Sequence, residues 1–368
     1  MKIQELDTPT LLIDQDILMA NLKRMQTFAD SNRIDLRPHI KTHKMPYIAA
    51  IQCNLGAQGI AVAKVGEAEA MVEYGLDDIM IANEIVGKKK LMRIAALMDR
   101  CKLRYGADSI FQIQEAEAIF SVYQKTAQIV IEIEVGEARS GVSLKEDFCA
   151  IIKEIQRSPH VTYCGVFGHD GNTYQAESLV RCTEISLQAQ EQLLRFAAYA
   201  EELGETNECV SYGSTPAALC NCKILKGITD LRVGTYALMD ASQAHIAGSF
   251  SDCAATVLAT VISRPTEDRV VLDVGAKGLT MQERTGGICN SNGKGKILGY
   301  PDVSIDKMYD EHAIIHNRVF REAVKVGDKV RIIPAHICPT VNLYDTAAFH
   351  SGDTVIKTVP ILCRGKLQ

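Results

Sequence analysis

The chain has 368 residues, a formal net charge of −5, 47% hydrophobic and 23% charged residues, which suits a soluble globular protein of one very large domain or two ordinary ones. No Lys/Arg-rich block marks a nucleic-acid surface, and no apolar run approaches about 18 residues, so neither nucleic acid nor a membrane is an expected partner. Twelve cysteines form no CxxC pair, and most sit in apolar segments, as Cys149 and Cys164 do. Free thiols in a reducing cytoplasm fit that pattern. The CNC pair Cys220/Cys222 has no histidine nearby and is not read as a metal site. The N-terminal MKIQELDTPTLLIDQD flanks its apolar stretch with acids, unlike a signal peptide.

In chain order, TPTLLIDQDIL reads as a strand, placed with residues 1–19 ahead of the main body. Short apolar runs then alternate with amphipathic stretches. The predicted strands are 34–41, 59–64, 78–83, 102–107, 128–135, 163–170, 208–213 and 230–239. Helical patterns lie between them, one stopping at Gly75 and a long one at Gly204. Eight strand–helix units favour a closed parallel (β/α)8 barrel over residues 20–240, rather than an open doubly wound sheet. Beyond Asp240 strand-length segments with Gly, Pro and Asp turns replace the helical periodicity. Residues 241–368 are therefore predicted to form an all-β domain, joined by the N-terminal strand.

A barrel of this type carries its chemistry at the C-terminal strand ends. The stretch RPHIKTHK offers Lys41 and Lys44. Strand alternation puts Arg37, His39, Lys41 and His43 on one face, placed inward at the mouth, and leaves Lys44 as a solvated or anion-facing charge. SYGSTPAA brings Gly213, Ser214 and Thr215 to a helix start. It reads equally as an anion cradle or as a plain N-cap with Pro216 in the first turn. Gly234-Thr235 at the next strand end tips the balance towards phosphate. A phosphate site plus a strand-end lysine points to pyridoxal phosphate held by Lys41. In RIIPAHICP, His336 and Cys338 lie two apart, on one side of an extended chain, and form either a zinc-type ligand pair or a core histidine beside a buried cysteine.

LDTPTLLIDQD, RPHIKTHK, GIAVAKVGEAE, HDGNTY, SYGSTPA, LRVGTY and PAHICPTVNLYD, in that order, resemble the D-serine dehydratase / D-threonine aldolase family, fold-type III pyridoxal-phosphate enzymes related to the alanine racemases. The likeness runs from about residue 6 to 363. It implies a homodimer acting on a D-3-hydroxy amino acid, with Lys41 as the Schiff-base lysine and Arg139 approaching the cofactor's phenolic oxygen. His169 and Tyr174 would line the cofactor and substrate pocket. Tyr212, Gly213, Ser214, Thr215, Gly234 and Thr235 would surround the phosphate or ring, and His336 and Cys338 would hold a divalent metal. Dehydratase-like members carry HxC and aldolase-like members an acid in place of the cysteine, so Cys338 favours dehydration and zinc, with manganese as the alternative. The aldolase reaction, racemisation and non-catalytic cofactor binding are the other readings that the resemblance leaves open.

Overall fold

The computed structural model describes all residues from Met1 to Gln368, and they divide into two compact units. One comprises residues 1–25, 42–47 and 235–364; the other comprises residues 26–41, 48–234 and 365–368.

The first strand, β1 (Thr10–Asp14), belongs to the former unit. The next eight build the latter: β2 (Asp35–Leu36), β3 (Ile60–Val62), β4 (Asp78–Glu84), β5 (Lys102–Ala107), β6 (Ala127–Glu132), β7 (Val161–Phe167), β8 (Cys209–Tyr212) and β9 (Asp230–Leu231). They pair in parallel in the order β2-β9-β8-β7-β6-β5-β4-β3. His39 bridges in parallel to Ala61 of β3, and Ile40 N–H donates to Ala61 O at 2.9 Å, so the sheet closes on itself. The barrel predicted from the strand count is therefore present.

The periodicity of the helices explains their seating. In Lys145–Arg157 the buried residues are Phe148, Ile151, Ile152 and Ile155, a single stripe of three- and four-residue steps. The long helix Leu179–Glu202 starts where Ser178 accepts the Arg181 N–H and stops before Gly204, whose φ of +89° suits glycine. Inside the barrel, Met80, Val130, Cys164, Phe167 and Cys209 pack as one buried cluster. Burying a side chain of the Val, Leu, Phe or Met kind stabilises by about 1.5–3 kcal/mol.

Two predicted strands are much shorter than expected. Residues 34–41 give only Asp35–Leu36, and residues 230–239 give only Asp230–Leu231 followed by a 3₁₀ turn at Thr235–Ala237. The pairing with β9 goes on as single bonds, Arg37 N–H to Leu231 O and His39 N–H to Val233 O, while Pro38, facing β3, has no N–H to give that strand, and the chain then turns at Ile40–His43. Strand alternation therefore does not reach Lys41. Nor does Arg37 stand at the mouth. Its guanidinium binds Asp78 at 2.6 Å and Asp230 at 3.4 Å, and these are the first residues of β4 and β9. Arg37 thus serves the opposite rim, which reads as stability rather than catalysis. Arg37→Ala is expected to cost about 3 kcal/mol in urea unfolding, because it strands the buried Asp230 and the half-buried Asp78, without changing the cofactor spectrum.

The other unit is mostly sheet. β10 (Ala255–Ser263) takes β1 on one side and β16 (Lys329–Pro334) on the other, both antiparallel. β1 also pairs in parallel with β17 (Thr346–Ser351), which turns back into β18 (Thr354–Pro360). The strands β11 (Arg269–Leu272), β12 (Gly295–Ile297), β13 (Tyr300–Ser304), β14 (Lys307–Met308) and β15 (Ala313–His316) complete it. It is not purely β. Short helices occupy Ala241–Ala247, Ala276–Leu279, Arg318–Ala323 and Ile337–Val341.

Candidate active site

Lys41 lies in the turn after the closing bridge, and its side chain is exposed. The Lys41 N–H donates to His39 Nδ1 at 3.3 Å, which ties the turn to the strand end. Lys44 is not the solvated charge expected from sequence. It is buried, with φ +53°, and its carbonyl accepts the Cys363 N–H at 3.0 Å. The chain dives into the sheet-rich unit at residues 42–47, and this takes Lys44 out of water.

In the barrel, His169 follows β7 and is held by its Nδ1–H donating to Gly213 O at 3.1 Å. A carbonyl partner requires the proton on Nδ1 and leaves Nε2 as an acceptor. Burial pushes the His169 pKa well below the usual value, and the charges of Lys41 and Arg139 push it further, so the ring is neutral near pH 7. Tyr174, in the 3₁₀ turn Gly171–Gln175, has its ring centroid 6.4 Å from that of His169.

Arg139 sits on the loop after β6. It contacts Glu132 at 3.5 Å and Glu137 at 3.2 Å, with half its side chain exposed. Ser140 donates to the other Glu132 oxygen at 3.1 Å. Glu84 is at the end of β4. Burial, together with the like-charged Glu132, pushes its pKa up to about 8, so Glu84 holds a proton near pH 7. Sequence reading passed over this carboxyl pair, because its members lie 48 positions apart (132 − 84) on strands β4 and β6, which meet only through β5.

Gly213, Ser214 and Thr215 stand where the cradle was read. A Cβ on Gly213, at φ +136°, would meet Leu231 Cδ1 at 2.7 Å. Ser214 does not cap the helix Thr215–Leu219 with its side chain; its hydroxyl pairs with Thr173 at 2.9 Å. The buried Thr215 hydroxyl has no hydrogen-bond partner. A plain N-cap does not explain that arrangement, whereas an anion would satisfy it. Tyr212 does not join the cradle by its hydroxyl. It points off the other face of β8, donating to Asp170 at 2.9 Å and pairing with Ser186 of the long helix, as alternation from Ser211 requires. Arg232, two residues before Gly234, was overlooked as strand interior. It is buried, with Nε donating to Ser211 at 2.8 Å and Nη2 to Gly168 O at 2.6 Å. Its guanidinium lies 5.0 Å over the Phe167 ring.

Asp170 is buried beneath this group. Burial pushes its pKa up to about 6, against the pull of hydrogen bonds from Tyr212 and Ser214. A folded value above the unfolded 3.8 means stability that is full below pH 3.8 and lost as pH rises through 6. Asp170→Asn keeps an acceptor and removes the ionisation. Its stability relative to the wild type is expected to rise by about 3 kcal/mol between pH 3.5 and 7.5, measured by urea unfolding. A flat difference would mean Asp170 ionises normally.

In the sheet-rich unit, His336 and Cys338 lie close enough for each to shift the other's pKa, but not because the chain is extended. β16 ends at Pro334, His336 is the extended residue that opens the helix Ile337–Val341, and Cys338 is in its first turn. Asp240 holds that start by accepting the Ile337 N–H at 3.0 Å. Thr42, next after Lys41 in the chain, has its hydroxyl 3.2 Å from Cys338 Sγ, and Thr235 Oγ1 lies 3.7 Å from it. Thr235 is thus grouped with this pair, and Gly234 precedes it as the last barrel residue. Burial alone would raise the Cys338 thiol, but the His336 charge and hydrogen bonds from His336 and Thr42 bring it down to about 7. Burial likewise opposes the charged form of His336, yet Cys338 and Asp240 shift it upward. Buried His336 Nδ1 has no hydrogen-bond partner. A thiol ready to ionise beside an unused imidazole nitrogen fits a soft or borderline divalent metal. No group of three or more His, Cys, Asp or Glu is placed to hold an ion. A two-residue donor set of this kind leaves coordination positions open.

A closed parallel barrel with a lysine at a strand end and a hydroxyl cradle two strands away around the ring places the chain in the alanine-racemase-like class of pyridoxal-phosphate enzymes. Residues 13–242 match the family described as "Alanine racemase, N-terminal domain", and residues 254–349 the "Putative serine dehydratase domain". The chain belongs to the D-threonine aldolase / D-serine dehydratase family and is a pyridoxal-phosphate-dependent lyase. It is 32% identical to a D-threonine aldolase of an Arthrobacter species, over 93% of this chain and 89% of that one. The crystal structure of D-threonine aldolase from Filomicrobium marinum superposes with a TM-score of 0.91 at 28% identity, covering 100% and 98% of the two chains. D-threo-3-hydroxyaspartate dehydratase from Delftia superposes with a TM-score of 0.91 at 27% identity, over 98% of each. A cysteine-to-alanine variant of that dehydratase has been solved in a metal-free form.

Proposed function

We propose that the chain dehydrates a D-3-hydroxy amino acid, giving a 2-oxo acid and ammonia, with zinc held by His336 and Cys338. The observation that carries dehydration over aldol cleavage is Cys338. A thiolate–imidazole pair suits zinc, whereas a carboxylate in its place suits harder ions such as manganese. The metal-free cysteine-to-alanine form of the Delftia dehydratase supports a cysteine ligand in that branch.

Pyridoxal phosphate supplies an electron sink for a bond broken at Cα, and the metal supplies a Lewis acid for the departing β-hydroxyl. The chain's own residues do the rest. Lys41 would hold the cofactor and is the base placed to take the Cα proton. Gly213, Ser214 and Thr215 hold the phosphate with backbone N–H groups and hydroxyls. Arg139, held by Glu132 and Glu137, offers a positive charge to the phenolic oxygen. Neutral His169 and Tyr174 would line the cofactor and substrate pocket without adding a second cation.

The 32% identity to a D-threonine aldolase favours a second reading, retro-aldol cleavage to glycine and an aldehyde. D-threonine separates the two, because either bond can break. Incubation with cofactor and zinc or manganese is expected to yield 2-oxobutanoate and ammonia. Glycine and acetaldehyde would establish the aldolase instead.

A further inference from the structure

Asp240 is buried and serves two helix starts with one carboxylate. Its Oδ1 accepts the Gln243 N–H at 2.9 Å and the Ser242 hydroxyl at 2.7 Å, which caps the helix Ala241–Ala247. Its Oδ2 accepts the Ile337 N–H at 3.0 Å, at the start of the helix that carries Cys338. A plain N-cap needs only the bonds to its own helix. It does not need a bond to a second helix start 97 positions away (337 − 240). The backbone of Asp240 is held too, its carbonyl accepting the Ala244 N–H at 2.9 Å with Cys253 Sγ at 3.6 Å. The residue before it is strained. Met239 is buried with φ +55°, a left-handed conformation unfavourable for residues other than glycine. That turn is pinned by Leu238 O, which accepts the Ala254 N–H at 2.8 Å. Strain that the surroundings hold in place clusters where a side chain is being aimed. The same short stretch meets the candidate metal pair a second time, through Thr235 Oγ1 at 3.7 Å from Cys338 Sγ.

We propose that Asp240 is the positioning residue of the His336/Cys338 pair, fixing the aim of both side chains by gripping the peptide N–H of the one residue between them. The inference rests on the assignment of that pair as metal donors made above. His336 is extended, with φ −139° and ψ 114°, and the helix begins at Ile337. The Ile337 N–H therefore stands at the bend where extended chain gives way to helix, and its direction sets the angle between the imidazole and the thiol. Asp240 acts through that backbone group, not as a third donor. Without Oδ2 the N–H is a buried donor with no acceptor, and the bend relaxes to find one. The two donors then no longer converge. Groups that orient metal ligands from outside are worth roughly 10- to 100-fold in metal affinity.

The test measures zinc affinity of the full chain by competition with a chelator, and the d–d absorption bands of the cobalt(II)-loaded protein, which lie at longer wavelength than pyridoxal absorbance. Asp240→Ser keeps a hydroxyl to cap Ala241–Ala247 but cannot also reach Ile337. Its zinc dissociation constant is expected to rise roughly 10- to 100-fold, with shifted cobalt bands at saturation. Asp240→Asn, which keeps the volume and one oxygen, is the second variant should serine leave too large a gap, and the same loss is expected. Ser242→Ala removes a bond from Oδ1 alone and is expected to leave both readings unchanged. Wild-type affinity and bands in the Asp240 variants would overturn the proposal. Equal weakening in Ser242→Ala would also overturn it, because any loosening of the carboxylate would then suffice. Cys338→Ala separates the two readings. If it binds zinc as the wild type does, the metal assignment falls and the positioning role falls with it; if only it loses zinc and the Asp240 variants do not, the assignment stands and the positioning role alone is refuted.

Discussion

Lys41→Ala is expected to purify without the visible absorbance of a lysine-bound cofactor and to lose at least roughly 10³-fold in kcat. On the proposed assignment one amine would have two duties, anchoring the cofactor and moving the Cα proton. Lys41 is exposed at the end of the closing strand, close enough for its charge to depress His169 and oppose the upward shift of Glu137. The control is Lys44→Ala. Lys44 is buried in the sheet-rich unit, so its removal should cost stability in thermal unfolding while leaving the absorbance in place. If Lys41→Ala were yellow and Lys44→Ala colourless, the two lysines would have been assigned the wrong way round.

The second large effect concerns the metal. His336→Ala and Cys338→Ala are each expected to bring bound metal, measured by mass spectrometry of the acid-digested protein, down to background. Lewis-acid stabilisation is worth several kcal/mol, so kcat should fall by roughly 100-fold or more. On the proposed assignment each variant removes one of two donors, and no group of three or more His, Cys, Asp or Glu stands there to hold an ion. Cys338→Asp is the informative companion. A harder oxygen donor should move the preference from zinc towards manganese and restore part of the metal content. Full metal content in Cys338→Ala would exclude the thiol as a ligand. The pyridoxal spectrum should survive in all three variants, which separates loss of metal from loss of fold.

Much of this protein was legible in its residues because the signals are local. Helix stripes such as Phe148-Ile151-Ile152-Ile155 follow from the 3.6-residue period, and the stops at Gly75 and Gly204 follow from the left-handed turn glycine permits. Eight apolar runs of strand length set the barrel count, and motif order picked out Lys41, Ser214-Thr215 and His336/Cys338 as candidates. Tertiary structure decided everything that depended on distant partners. Strand alternation placed Arg37 at the mouth, but Asp78 and Asp230 draw it to the opposite rim. Extended geometry was assumed for His336 and Cys338, but Asp240, about a hundred residues earlier, starts a helix there. Glu84 and Glu132 are unremarkable in sequence because only pairing of their strands through β5 brings them together. Local chain physics fixes periods and turns over a few residues, whereas which charges and thiols meet is set by packing across the whole chain.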